Sequence, residues 1–292
     1  MFSIIGIVVV FGAVLCGFMM EKGPVFVLLQ PSEILIIGGA GLGTLLAGNP
    51  LHVLKRTATS LVRVLKGSRY SKQRYLESLK MMLLLFNRGR KGGLIELESD
   101  IEEPEKSPVL SKFPEFLNDH HARDFVCDTM RMAITGGATP FDLDQMMELD
   151  MEVHHESASQ PAQALATMAD ALPGMGIVAA VLGVVITMSA LGGPPEEIGR
   201  KVAAALVGTF LGILLCYGVV GPLASVLSKL IDEENAYYHV LRVVMLSYLK
   251  GMPPTLAVEV ARRAVPEHVR PSFHELETAC RHRESVAEPT AA

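Results

Sequence analysis

The sequence predicts an all-α integral membrane protein: four transmembrane helices, a large helical cytoplasmic domain between the second and third, and long helices extending into the cytoplasm. Three observations predict it. Half of the 292 residues are hydrophobic and the mean hydropathy is +0.35, although 20% of residues are charged. The charges are segregated. None falls in residues 1–20, between Glu33 and Lys55, between Asp170 and Glu196, or between Lys201 and Lys229. Each interval holds the roughly 20 apolar residues that a helix needs to cross a bilayer. Between these intervals nothing reads as a strand, and helix start and stop signals recur.

In chain order, residues 1–21 form the first span. They lack a basic leading region and a second span follows closely, so a span is a better reading than a secretory signal. Residues 22–33 make a short periplasmic loop and 34–54 the second span. Lys55, Arg56, Arg63, Lys66, Arg69 and Lys72 follow directly. Basic residues flanking a span mark its cytoplasmic side, so both termini are cytoplasmic. Arg200 and Lys201 fall on the wrong side for this rule and are offset by Glu196 and Glu197.

Residues 55–170 form the cytoplasmic domain. A helix is expected over 70–86, where Leu76, Leu79, Met82 and Leu83 crowd together, with a break at Gly92-Gly93. Another runs from Asp119 to Ile134 and ends at Gly136-Gly137. Thr139 then caps a long helix: Pro140 suits its first position, and Asp142 and Asp144 complement its positive end. Pro161 is expected to kink this helix, which leads into the third span, 171–191. A periplasmic loop, 192–201, begins with Gly-Gly-Pro-Pro. The fourth span, 202–228, continues through Asp232 to Lys250. Residues 229–292 are the cytoplasmic C-terminal helix and tail. Ser272 and Glu275 form a capping box that opens a terminal helix, and residues from about 285 read as disordered.

Composition excludes several function classes. The net charge of −5 offers no basic excess for nucleic acid. Cys16, Cys127, Cys216 and Cys280 are far apart and form no CxxC pair, so they read as apolar filler rather than disulfides or zinc ligands. There is no nucleophile elbow, P-loop or HExxH, and no carboxylate pair within a span. No cofactor is expected, and an enzyme is not supported. His120-His121 and His154-His155-Glu156 are poor metal ligands, because adjacent helical residues point about 100° apart. A solvated helix face is the expected reading of both.

The spans carry the more informative residues. The third span starts Leu172-Pro-Gly-Met-Gly-Ile-Val-Ala-Ala, and the fourth contains Val207-Gly-Thr-Phe-Leu-Gly and ends at Gly221-Pro222. A proline inside a membrane helix frees a carbonyl that neighbours must satisfy. Neither stretch contains an acid or a base, so any ion path along them leaves that group to a partner. Pro173, Ala180 and Thr187 are seven apart, with Gly176 and Gly183 three after the first two, and together they make one narrow face of small residues. Tight helix packing and a smooth wall facing a pore or partner helix both fit. Thr209 is an isolated hydroxyl: such a threonine usually bonds back to the preceding turn, and a place on an ion path is the alternative.

Gly38-Gly-Ala-Gly-Leu-Gly43 is a poor dinucleotide loop, with no glycine three residues after Gly43. Gly39 and Gly43 instead form a GxxxG pair for helix packing, and Ala204, Gly208 and Gly212 a similar stripe. In the cytoplasmic domain, Arg88, Arg90 and Lys91 precede Glu96, Glu98 and Asp100 across a glycine break. A solvated face is the bland reading. Segregated signs also suit a partner carrying the reversed pattern.

These residues resemble the MotA family of flagellar stator subunits, within the MotA/TolQ/ExbB superfamily. The resemblance covers nearly the whole chain. Its carriers are Gln30-Pro-Ser-Glu33, Gly93-Leu-Ile-Glu-Leu-Glu98-Ser-Asp-Ile-Glu102, the two span motifs above, and Arg270-Pro-Ser-Phe-His-Glu-Leu-Glu277. It implies a homopentamer around a MotB dimer in the bacterial inner membrane. MotB's transmembrane helix supplies the proton-binding aspartate and its periplasmic part grips peptidoglycan. The unit turns proton motive force into torque on the rotor protein FliG. On this resemblance Pro173 and Pro222 couple proton flow to movement, Thr209 lies near the ion path, and Arg90 and Glu98 face FliG. Ala180 stands where sodium-driven relatives tend to have threonine, which favours protons. An ExbB- or TolQ-like energy transducer is the alternative, but those chains typically have three spans.

Overall fold

The structure is a computed structural model and describes residues 2–189 and 192–281. The expected disordered tail from about 285 lies outside the described residues. All regular structure among the described residues is helical. The chain divides into two compact units. The first comprises the described parts of 1–67 and 158–231, the second those of 68–157 and 232–292.

In the first unit, helix α1 (Phe2–Met20) is apolar on every side and contains no charge. Such a helix is stable in lipid, where its backbone is satisfied internally and its side chains need no water. A 3₁₀ turn over Val25–Leu28 leads into α2 (Pro31–Gly48), with Pro31 at its first position. Glu33 therefore lies in the first turn of α2, not in the preceding loop. The helix also closes earlier than the 34–54 span expected. Pro50 disfavours a helical conformation at Asn49, which is extended with φ −135° and ψ 139°. Asn49 Nδ2 donates to the Leu45 carbonyl at 2.9 Å, satisfying one group of the last turn. Helix α3 (Leu51–Lys66) starts afresh, with Arg63 and Lys66 in its last turn.

Helix α8 (Pro140–Met188) runs for 49 residues, and neither Pro161 nor Pro173 ends it. Helix α9 (Pro195–Leu215) and helix α10 (Gly221–Leu249) are joined by a widened turn over Cys216–Val220. Pro222 explains the widening. Its nitrogen cannot donate, and in a regular helix its ring would meet the carbonyl four residues back. One extra residue in the turn relieves that clash. The Gly221 amide instead donates to the Cys216 carbonyl, five residues back. A β-carbon at Gly221 would stand 2.8 Å from that oxygen, so the turn needs a glycine there.

Helices α8 and α9 approach to backbone distance. A β-carbon at Gly212 would lie 2.6 Å from the Leu172 carbonyl oxygen and 3.0 Å from Gly176 Cα. One at Gly176 would lie 2.9 Å from the Gly208 oxygen, and one at Gly183 would lie 2.6 Å from Ala205 Cβ. Small residues are what permit such an approach between membrane helices. Ile37 of α2 packs beside this crossing with Ala169, Leu172, Ala179 and Cys216. Val64 of α3 joins a second cluster with Ala162, Leu165, Ala224, Leu227, Leu230 and Ile231.

The second unit is built from α4 (Lys72–Gly92), α5 (Glu98–Glu102), α6 (Pro114–Leu117), α7 (His120–Thr135), α8 up to residue 157, α10 from residue 232, α11 (Pro254–Ala264) and α12 (Phe273–Arg281). Its caps follow the local signals. Asp119 accepts from the Ala122 amide and opens α7, and Gly136 and Gly137 end it at φ +80° and +92°. Thr139 and Asp142 cap α8 reciprocally, and Ser272 and Glu275 cap α12 likewise. Lys72 donates to Glu275 as well, and these donors hold the Glu275 carboxyl down at about 2.

One core runs through this unit, containing Tyr75, Leu79, Met82, Phe86, Met130, Tyr237, Tyr238 and Met245. Arg74 is buried at its edge, paired with Asp119 and lying over the rings of Tyr70 and Tyr237. The α7 cap is thus also the counter-ion of α4. Tyr237 shares a 2.8 Å hydrogen bond with Ser78, which joins α10 to α4.

The α8–α9 crossing gives a direct prediction. Gly212→Ala places a methyl against backbone atoms that cannot swing aside, and should cost about 1–3 kcal/mol. The thermal midpoint of the purified protein in detergent measures it, and an unchanged midpoint would show that the helices are not this close.

Candidate functional site: acid-free helix stretches and a charged surface

The structure divides the small-residue face of α8. Gly176 and Gly183 turn toward α9, together with Ala179. Gly176 therefore follows the packing alternative of the two that the sequence left open, and is not part of a free wall. Pro173 and Ala180 lie at the margin of the packed face and are half-buried. Thr187 is buried, and its hydroxyl donates to the Gly183 carbonyl at 2.8 Å, the ordinary back-bond of a helical threonine. On α9, Thr209 is half-buried, and its Cα lies 3.3 Å from the β-carbon position of Gly176. Its hydroxyl makes no back-bond among the described residues. Pro222 is exposed, just beyond the widened turn.

The other glycines separate in the same way. Gly208 and Gly212 pack at the crossing. A β-carbon at Gly39 or Gly43 would meet nothing within 4 Å, whereas one at Gly41 would meet Leu172 and Met168. Among the described residues nothing packs against the GxxxG pair. The register of α2 turns the intervening glycine inward.

Glu33, which in the sequence marks the edge of a span and closes the Gln30-Pro-Ser-Glu33 motif, is part of this site. Glu33 is 6% exposed, and its Oε2 would lie 2.6 Å from a β-carbon at Gly208. The α8 and α9 stretches are free of acid, but the crossing is not. The signal was present in the sequence: Glu33 is the only acid between Glu21 and Glu77.

In the second unit the charge run also divides. Arg90, Lys91, Glu96 and Glu98 are exposed. Asp100 is 0% exposed and accepts from Ser107 Oγ at 2.6 Å. Ser107 in turn accepts from the amides of Val109 and Leu110. Arg88 lies 3.4 Å from Asp100 and 3.7 Å from Glu96. Asp100 is therefore a buried anchor for the 103–110 segment and not a docking charge, and Arg88 is committed to holding it. Beside Arg90 lies a cleft of about 290 Å³ lined by Leu94, Tyr248, Met252, Pro253 and Pro254.

The histidine pairs are not both solvated, as the sequence led us to expect. His121 and His154 stack with ring centroids 3.7 Å apart, and each meets the edge of Tyr238. Glu234 Oε1 lies 3.5 Å from His154 Nε2. Among the described residues, no three His, Cys, Asp or Glu side chains come together to hold a metal ion.

The geometry defines a membrane protein whose apolar helices extend into a packed helical unit with charges of both signs on its surface. Residues 4–93 match the family described as motility protein A N-terminal, and residues 118–239 the MotA/TolQ/ExbB proton channel family. Motility protein A of Salmonella typhimurium is 39% identical over 277 residues, covering 95% of this chain and 94% of that one. The chemotaxis protein LafT of Vibrio parahaemolyticus is 33% identical, covering 94% and 96%. The chain belongs to the motility protein A family. Its fold matches the structure titled C. jejuni MotAB with a TM-score of 0.76 at 19% identity, covering 93% of this chain and 98% of that one. It matches the flagellar MotAB stator complex from Bacillus subtilis with a TM-score of 0.72 at 23% identity, covering 94% and 98%.

The histidine stack makes stability depend on pH. Burial, and then the neighbouring His154, push the His121 ring below the usual histidine range. The ring binds a proton more readily in the unfolded chain, so stability rises with pH. Its contribution is complete above the ordinary histidine value of about 6.5 and is lost as the pH falls through it. We expect the thermal midpoint to drop between about pH 7 and 5, and His121→Phe to flatten that drop. An identical slope in the variant would contradict it.

Proposed function

We propose that this chain is the ring-forming subunit of a bacterial flagellar stator. With a MotB-type partner it forms a proton-conducting complex that turns proton motive force into torque on the rotor protein FliG. The observation that carries this reading is the pair α8 and α9. The pair has no acid or base over residues 172–187 and 207–222, packs through glycines, and continues into the unit that exposes Arg90 and Glu98. The match to a proton channel family and the relatives named for motility support it. The assembly is a homopentamer around a MotB dimer, in the bacterial inner membrane, with both termini in the cytoplasm. It needs no cofactor, binds no nucleic acid and catalyses no covalent chemistry.

The partner's aspartate takes a proton from the periplasm. Neutralisation removes much of the cost of a charge in low dielectric. The partner's helix then shifts against the margin formed by Pro173 and Ala180, and release to the cytoplasm restores the charge. One elementary charge crossing the membrane supplies about 2.3 kcal/mol per 100 mV. Exposed charge contacts are each worth under about 1 kcal/mol. A proton can therefore break and remake a few contacts at Arg90, Lys91, Glu96 and Glu98, but not a large buried interface. The absence of threonine at Ala180 favours protons over sodium.

Complementation of a deletion strain, with proton and sodium gradients varied separately, tests the reading. Motility should follow the proton gradient alone, and dependence on sodium would contradict the ion choice. Pro173→Ala should assemble normally and abolish torque; normal swimming would remove Pro173 from coupling. Arg90→Glu should weaken swimming and be partly rescued by charge reversal on FliG. Failure of every FliG reversal to rescue would count against direct docking.

A further inference from the structure

Glu33 brings a carboxyl to the α8–α9 crossing, and the mechanism proposed above leaves it without a role. It makes no hydrogen bond or ion pair among the described residues, and its buried Oε2 has no partner. The atom occupies the space left by the missing side chain of Gly208. Around that same β-carbon position, Ala179 Cβ lies at 3.2 Å and the Ala180 nitrogen at 3.3 Å. The carboxyl thus reaches from α2 into a cradle of small residues, one position from Thr209. No other charged residue lies between Glu33 and Lys55, Asp170 and Glu196, or Lys201 and Lys229 on the elements around it.

Magnitudes decide which form the cradle suits. An ionised carboxylate there loses its hydration, a larger penalty than the positive end of α2, whose first turn contains Glu33, can return. Among the described residues no ion pair to Glu33 makes up the difference.

We propose that Glu33 is a proton-binding site belonging to this chain, holding a proton as the neutral acid while α2, α8 and α9 are in contact. When that contact loosens, the Glu33 O–H bond breaks and an O–H bond forms on the carboxylate of a partner helix at the Thr209 face. Glu33 is left as a carboxylate and is reloaded by one proton from water. The inference rests on the reading of the chain as a proton-conducting stator subunit.

The test uses the full chain with its MotB-type partner in proteoliposomes. At neutral pH the wild-type complex should show a protonated-carboxyl C=O stretch in the infrared that Glu33→Gln lacks. Proton flux should fall on the order of tenfold or more in Glu33→Gln, while Glu33→Asp, which keeps an acid, retains most of it. A wild-type spectrum that loses no protonated-carboxyl band in Glu33→Gln overturns the proposal, as does unchanged flux in that variant. If Glu33→Gln fails to assemble, the same band should shift in Glu33→Asp, and an unshifted band overturns the proposal. A wild-type complex that conducts no protons defeats the stator reading instead, and the infrared comparison still decides Glu33.

Discussion

The structure depends on the backbone-distance contact between α8 and α9. Gly176, Gly183 and Gly212 let the two helices touch where a single methyl would meet a carbonyl oxygen or an α-carbon. With little apolar driving force between helices in lipid, close packing of small residues is the main source of their association. This contact fixes which residues remain at the margin. Pro173 and Ala180 lie there because the glycines three positions after Pro173 and Ala180 are already occupied by α9. It also creates the space at Gly208 that Glu33 fills.

A second constraint operates in the other unit. Asp119 caps α7 and neutralises the buried Arg74 of α4, while Tyr237 of α10 lies under the same guanidinium. Three helices are thus registered by one charge pair and one ring. Removing either partner would leave a buried charge uncompensated, which costs far more than the pair itself contributes. A rigid unit suits a surface that must transmit force. Arg90, Lys91 and Glu98 sit exposed on its exterior, Glu96 is exposed beside Arg88, and Asp100 is buried with Arg88 against it.

Local signals were legible in the sequence because their physics is local. Gly136-Gly137, Thr139 with Asp142, and Ser272 with Glu275 act within a few residues and did what their chemistry dictates. The Asn49-Pro50 break is equally local, and its signal was there to be read. Long-range choices were not legible. Neighbouring positions on α8 differ by a fraction of a turn, and only the partner helix decides whether Gly176 or Ala180 faces it. Gly41, not the Gly39 and Gly43 pair, turns inward for the same reason. His121 and His154 are 33 residues apart and stack because α7 and α8 fold back on one another. Asp100 looked like one of a run of surface charges until the 103–110 segment folded over it.

The central claim is that the helix pair provides the wall and a partner provides the acid that completes the path. The direct measurement is proton flux into proteoliposomes containing this chain alone, the chain with a MotB-type partner, and the chain with a partner whose transmembrane aspartate is replaced by asparagine. The account predicts flux only with the intact partner. Flux through the chain alone, or flux indifferent to the partner's aspartate, would contradict it.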